Sequence, residues 1–284
     1  MKNYFINQEN ELRIVWKILL CIVLAVAMII AFGITKEIIG FKDRIGIVST
    51  LAVVVAIYIM LKVVDKKGFR YIGFEPISKG YSKFLVGMLL GGFLIVVNVI
   101  VLRLSGLISF ETGLLAPNLS LDLLEGLLIL AGVSLAEEMV FRGYIQKTIQ
   151  RTDKNWLAIL ISALLWTLIH AGNANYAFLP FLNILLAGIL LGYLVVKTRS
   201  IYIAIGLHIT WNYFQGYIFG IQVSGRVQEG TMYLVEMKNN FFTGGNFGLE
   251  GGLANTLVLI AAILLSSLYY RNKSQKIDNK VRTV

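Results

Sequence analysis

The sequence predicts an all-α, polytopic transmembrane bundle of about eight helices with both termini in the cytoplasm. Three observations predict it. Hydrophobic residues fill 57% of the 284 positions and charged residues only 15%, with a mean hydropathy of +0.75, a composition outside the range of soluble domains. Apolar stretches of about 20 residues, enough to cross ~30 Å of hydrocarbon at ~1.5 Å per residue, fall near 15–34, 45–64, 84–102, 123–149, 156–176, 178–196, 201–220 and 253–270. With the first segment inside, 19 of the 26 Lys and Arg residues lie on inner segments and 6 on outer ones, Arg142 being counted within the membrane. This positive-inside bias sets the orientation. The net charge of +10 is then a topology signal and not a nucleic-acid footprint.

The first stretch follows Lys2, Arg13 and Lys17, but 18–34 is longer than a signal-peptide core and no clear cleavage site follows, so a retained helix is expected. Cys21, the single cysteine, lies in it, which excludes an internal disulfide and gives a cysteine nucleophile no support. After the second stretch, residues 65–83 carry Asp65, Lys66, Lys67, Arg70 and Lys79 and read as a cytoplasmic loop able to lie on anionic lipid. Arg103 anchors the outer edge of the third. The fourth holds Glu137, Glu138 and Arg142, the fifth Trp166 and His170 with Asn173 and Asn175 marking its end or touching substrate, and the seventh His208 and Asn212. Asn98, Ser162 and Asn183 are expected to pack between helices, and Trp16, Trp156 and Tyr269 to form an interfacial belt. The outer segment 221–252 is glycine-rich near its end and suits a re-entrant or lid-like loop as well as a connector. Residues 271–284 read as a basic cytoplasmic tail expected to be disordered. One membrane domain is expected over 1–284, in the cell membrane, without internal repeats.

Ionisable groups in apolar segments cost roughly 2.5–3.5 kcal/mol each on insertion scales. This chain nevertheless places both of its histidines, His170 and His208, and the Glu137-Glu138 pair there. On a helix Glu138 and Arg142 are i,i+4 neighbours, while Glu137 projects about 100° away. One carboxylate can be neutralised while the other stays available. Trp166 lies one turn before His170, and Asn212 one turn after His208, each pair on one face. Counted from the inner edges at ~1.5 Å per residue, Glu137 lies roughly 18 Å deep, His170 about 21 Å, His208 about 12 Å and Asn212 about 18 Å. All four fall near the middle of the core.

A carboxylate in a partly dry cavity can take a proton from water, and His and Asn donors can stabilise the oxyanion formed when that water attacks a carbonyl. The chemistry is peptide hydrolysis without a covalent intermediate. Glu137, His170 and His208 could instead hold zinc with water as the fourth ligand, although no His-Glu-x-x-His helix is present. Two rival functions use the same residues. A proton-coupled transporter would place Glu, His and Arg at mid-membrane, but repeated halves and broken helices are not evident. A non-catalytic immunity or scaffold protein would keep the fold and bind a partner peptide.

Glu137-Glu138-x-x-x-Arg142, Trp166-x-x-x-His170 and His208-x-x-x-Asn212 resemble, in order, spacing and helix placement, the three motifs of the CPBP family. These intramembrane proteases include the CAAX prenyl endopeptidases and the bacterial Abi or bacteriocin-immunity proteins. The resemblance covers about residues 120–220, and the first three helices carry little of it. It implies that Glu137 activates water with help from His170, that His208 and Asn212 stabilise the oxyanion, and that Glu138 with Arg142 holds the geometry. It also implies a peptide or protein substrate, membrane-anchored or prenylated ones included. The family is often labelled metalloprotease, yet its best-studied members resemble metal-independent glutamate proteases, so zinc is left open. Trp166 departs from the usual phenylalanine, keeping an aromatic wall that narrows the cavity.

Overall fold

A computed structural model describes residues 4–7, 9, 11–43, 45–111 and 115–282, with side chains as far as residue 273. Lys2, one of the flanking charges, lies outside them. The helices are α1 (Ile14–Ile38), α2 (Ile47–Ile59), α3 (Ile77–Leu104), α4 (Leu121–Glu138), α5 (Gln146–Gln150), α6 (Asn155–Ile169), α7 (Phe178–Thr198), α8 (Tyr202–Tyr213) and α9 (Leu253–Arg282). A π-helical stretch at Met139–Ile145 joins α4 to α5 in one rod, and others extend α2 through Val64 and α8 through Ile218. Each expected apolar stretch coincides with one of these rods.

Among the described residues five helical segments are long and apolar enough to cross a membrane: Ile14–Ile38, Ile47–Val64, Phe69–Leu104, Phe178–Thr198 and Leu253–Lys273. With large apolar side chains such as Leu89, Phe93 and Leu265 exposed on the helix surfaces, this is an integral membrane protein. The rods carrying the three motifs are not among the five. In α4 the charges themselves lower the hydropathy, α6 is 15 residues long and α8 is 12. Apolar scaffold and polar machinery are thus divided between different helices.

Several boundaries differ from expectation. Residues 77–83 are the first two turns of α3 and not loop. The helix expected over 156–176 stops at Ile169, where Gly172 and the left-handed Asn175 break the pattern, so His170 sits at the helix end. The backbone of α9 continues helically to Arg282 instead of ending in a disordered tail. The all-α reading also missed a two-stranded antiparallel ribbon, β1 (Ile108–Phe110) with β2 (Val235–Met237), in the register Ser109 opposite Glu236. Three-residue strands carry no legible alternation.

Small residues let α8 sit directly on α3. A Cβ added at Gly87 or Gly91 would meet the backbone oxygens of Ile203 and Leu207, and one at Gly206 that of Phe84. Thr210 Oγ1 donates to Met88 O at 2.7 Å across the same seam. The predicted inter-helix roles of the other polar residues hold: Asn98 donates to Asn255 at 3.1 Å, Ser162 to Phe141 O at 2.7 Å, and Asn183 to the backbone ahead of α9.

Asp65 does not face lipid. Its carboxylate pairs with Lys17 Nζ at 2.6 Å and accepts the Tyr144 hydroxyl at 2.6 Å, while Lys17, 1% exposed, is a buried cation and not a solvated flank. Glu11 extends the network to Arg151 at 2.7 Å. Arg151 holds the Glu11 carboxyl below its ordinary range, against the opposing effect of burial.

Candidate active site

Glu138 is the last residue of α4, and the π-helical stretch that follows widens the helix where Arg142 must turn back toward it. Arg142 Nη1 donates to Glu138 Oε1 at 2.9 Å, both side chains being fully buried, as the i,i+4 spacing predicts. The same oxygen receives His208 Nδ1 at 2.9 Å, so Glu138 joins the first motif to the third. The first is joined to the second by Trp166, whose Nε1–H donates to Glu137 Oε2 at 2.6 Å.

Trp166 does more than line a wall. Its carbonyl oxygen lies 2.9 Å from His170 Nδ1, its ring lies under the Arg142 guanidinium, 4.2 Å from the centroid, and it meets the rings of His170 and His208 edge-on at 5.2 and 5.5 Å. A phenylalanine would keep the packing and lose the N–H. Because a carbonyl can only accept, His170 Nδ1 carries the proton and its neutral tautomer presents Nε2 as an acceptor. His208 Nδ1 likewise donates to a carboxylate.

Glu137, half-buried, lines a cavity of about 330 Å³ together with Trp166, His170, His208 and Asn212. Leu130 and Val133 of α4 and Ile184 and Leu191 of α7 supply apolar walls. Glu137, Trp166, His170, His208 and Asn212 thus line the cavity, Glu138 is bonded to His208, and Arg142 stacks over Trp166.

The same three residues were zinc candidates. Among the described residues no three His, Cys, Asp or Glu side chains gather as a metal-binding group, while the Nδ1 contacts of the two histidines leave both Nε2 atoms open.

Sequence reasoning missed the contribution of the 221–252 segment. Val223, Ser224, Arg226 and Gln228 line the cavity, as does Glu250, whose Oε2 accepts Ser224 N–H at 2.7 Å and Gln215 Nε2 at 3.0 Å. The available signal was a lone carboxylate in Gly248-Leu249-Glu250-Gly251-Gly252, immediately before an apolar helix.

Residues 119–214 match the family model described as Rce1-like, type II CAAX prenyl endopeptidase Rce1-like. The match spans about a third of the chain and includes all three motifs. It bears out the resemblance to the CAAX-type proteases of the CPBP family. No curated protein matches the chain.

Proposed function

From the match of residues 119–214 to the type II CAAX prenyl endopeptidases, we propose that this integral membrane protein is an endopeptidase whose attacking water is activated by Glu137. The carrying observation is the convergence of three motifs from separate helices on one cavity, fastened by the Trp166–Glu137 and His208–Glu138 hydrogen bonds. Trp166 fixes one oxygen of Glu137 and leaves the other to take a proton from water, while His170 Nε2 offers the same water a second acceptor. Hydroxide adds to the peptide carbonyl. The developing oxyanion is met by the Asn212 amide and by His208 Nε2, which can donate when the ring carries both protons. Return of the proton from Glu137 to the amine releases the product. No metal takes part in this reading.

The bias of basic residues supports cytoplasmic termini in the cell membrane, and the cavity's apolar walls suit a membrane-borne peptide, with prenylated and unmodified chains both to be compared as substrates. Neo-termini found in membranes with wild-type protein and missing with Glu137→Ala identify the substrates; their absence would count against the endopeptidase. With such a peptide and purified protein, Asn212→Ala should cost about 10²- to 10³-fold in kcat, as losing one oxyanion donor does elsewhere. A wild-type rate would remove Asn212 from that role. Elemental analysis of active protein should find no stoichiometric zinc, and chelation should leave the rate unchanged. Zinc present in wild type and lost from both His170→Ala and His208→Ala would overturn the metal-free mechanism.

A further inference from the structure

The segment between α8 and α9 is fastened more firmly than a connector requires. Within the cavity wall formed by residues 223–228, Ser224 is held by both of its backbone groups. Its N–H donates to Glu250 Oε2 at 2.7 Å, and its carbonyl accepts Asn173 Nδ2 at 3.0 Å. Its φ of 49° is a left-handed conformation that a non-glycine residue keeps only where its neighbours impose it.

Glu250 is the centre of this attachment. The same Oε2 accepts Gln215 Nε2 at 3.0 Å, and Gln215 lies three residues beyond Asn212, in the π-helical extension of α8. Gln215 Nε2 also reaches Gln222 O at 2.6 Å. From behind, Asn183 Nδ2 donates to the backbone oxygens of Glu250 and Gly252 at 2.8 and 2.9 Å. Thr256 in turn holds the Asn183 amide oxygen at 2.7 Å. One carboxylate thus ties the wall to the helix bearing Asn212, and Asn173 ties the same wall to the turn that follows His170.

We infer that Glu250 is a positioning residue that holds the 223–228 wall against the cavity and so sets the width and register of the peptide site. The inference rests on the endopeptidase reading and adds what shapes its substrate channel. The role needs a hydrogen-bond acceptor at this place; it needs neither a charge nor a proton. Glutamine can therefore fill it, because a single amide oxygen in the place of Oε2 can accept both Ser224 N–H and Gln215 Nε2.

Limited trypsin digestion of the full-length, detergent-purified protein tests the attachment without requiring turnover. Arg226 lies in the tethered wall, and Lys66 and Lys67 in a distant connector report global loosening. Loss of the buried acceptor that holds Ser224 N–H should speed cleavage after Arg226 about tenfold in Glu250→Ala, with cleavage at Lys66 and Lys67 unchanged. KM for a peptide cleaved by wild type should rise by about the same factor, kcat staying within about threefold. Glu250→Gln should restore both measurements. Should Glu250→Ala not fold, Asn173→Ala frees the other side of Ser224 and is expected to loosen Arg226 alike. Equal protection of Arg226 in all three variants overturns the inference. So does a Glu250→Gln variant that stays protected yet loses activity, since Glu250 would then act through its charge or proton. If wild type cleaves no peptide, the endopeptidase reading fails while the digestion still reports the attachment.

Discussion

Glu137→Gln is expected to lower peptide cleavage by about 10²- to 10⁴-fold, the range that a positioned general base contributes, with the protein still folded. Glutamine retains the shape and an oxygen to accept Trp166 Nε1–H, now at 2.6 Å from Glu137 Oε2, so the wall between α4 and α6 stays in place. What is lost is the ability to take a proton from water. Since Glu137 is half-buried at the cavity surface and bonded on one side only, the substitution removes no buried ion pair. Parallel measurement of kcat and melting temperature therefore separates the roles: the rate should collapse and the midpoint should stay within a few degrees. Activity within a few-fold of wild type would assign the base elsewhere.

Arg142→Ala should produce the opposite pattern, a loss of about 3–5 kcal/mol in stability, because removing one partner of a buried pair strands the other charge. Arg142 and Glu138 are both fully buried, 2.9 Å apart, and the guanidinium also covers the Trp166 ring. The alanine variant thus empties a space beneath the site and leaves Glu138 with His208 alone. Glu138→Gln should cost less, since an amide can still accept from Arg142. Combined, the two changes should fall well short of additive in a denaturation series, as contacting residues do. Additive losses would mean that the pair contributes nothing as a pair.

Much of this was readable from spacing. The Glu138–Arg142 pair and the shared faces of Trp166 with His170 and of His208 with Asn212 follow from 3.6 residues per turn, which needs no tertiary knowledge. Convergence of the three groups was readable only as similar depth. The bonds that join them, Trp166 to Glu137 and His208 to Glu138, depend on helix rotation and on how closely glycines let the backbones approach. Glu138 consequently read as a partner of Arg142 alone, and Trp166 as a wall. The π-helical stretches close their backbone hydrogen bonds one residue further along than an α-helix does and leave no mark in composition. Glu250 was illegible for another reason: its partners at 183, 215 and 224 are reached through loop conformation, which hydrophobic periodicity does not encode.

The burial of Lys17 bears on the order in which the chain can be assembled. Its partner Asp65 lies 48 residues later, beyond the whole of α2, and the hydroxyl that completes the arrangement, Tyr144, comes 79 residues after Asp65. A nascent α1 therefore leaves the ribosome with Glu11, 3.3 Å from the Lys17 ammonium in the finished fold, as its one synthesised partner, the closer carboxylate of Asp65 being still to come. The lysine's butyl stem lets that charge reach for the aqueous surface meanwhile. Only when α2 arrives can Asp65 close on the ammonium at 2.6 Å, and only with the α4–α5 rod is the aspartate's second oxygen occupied. The first helix is thus among the first made and among the last to be finished, waiting for Tyr144, a residue translated only with the α4–α5 rod.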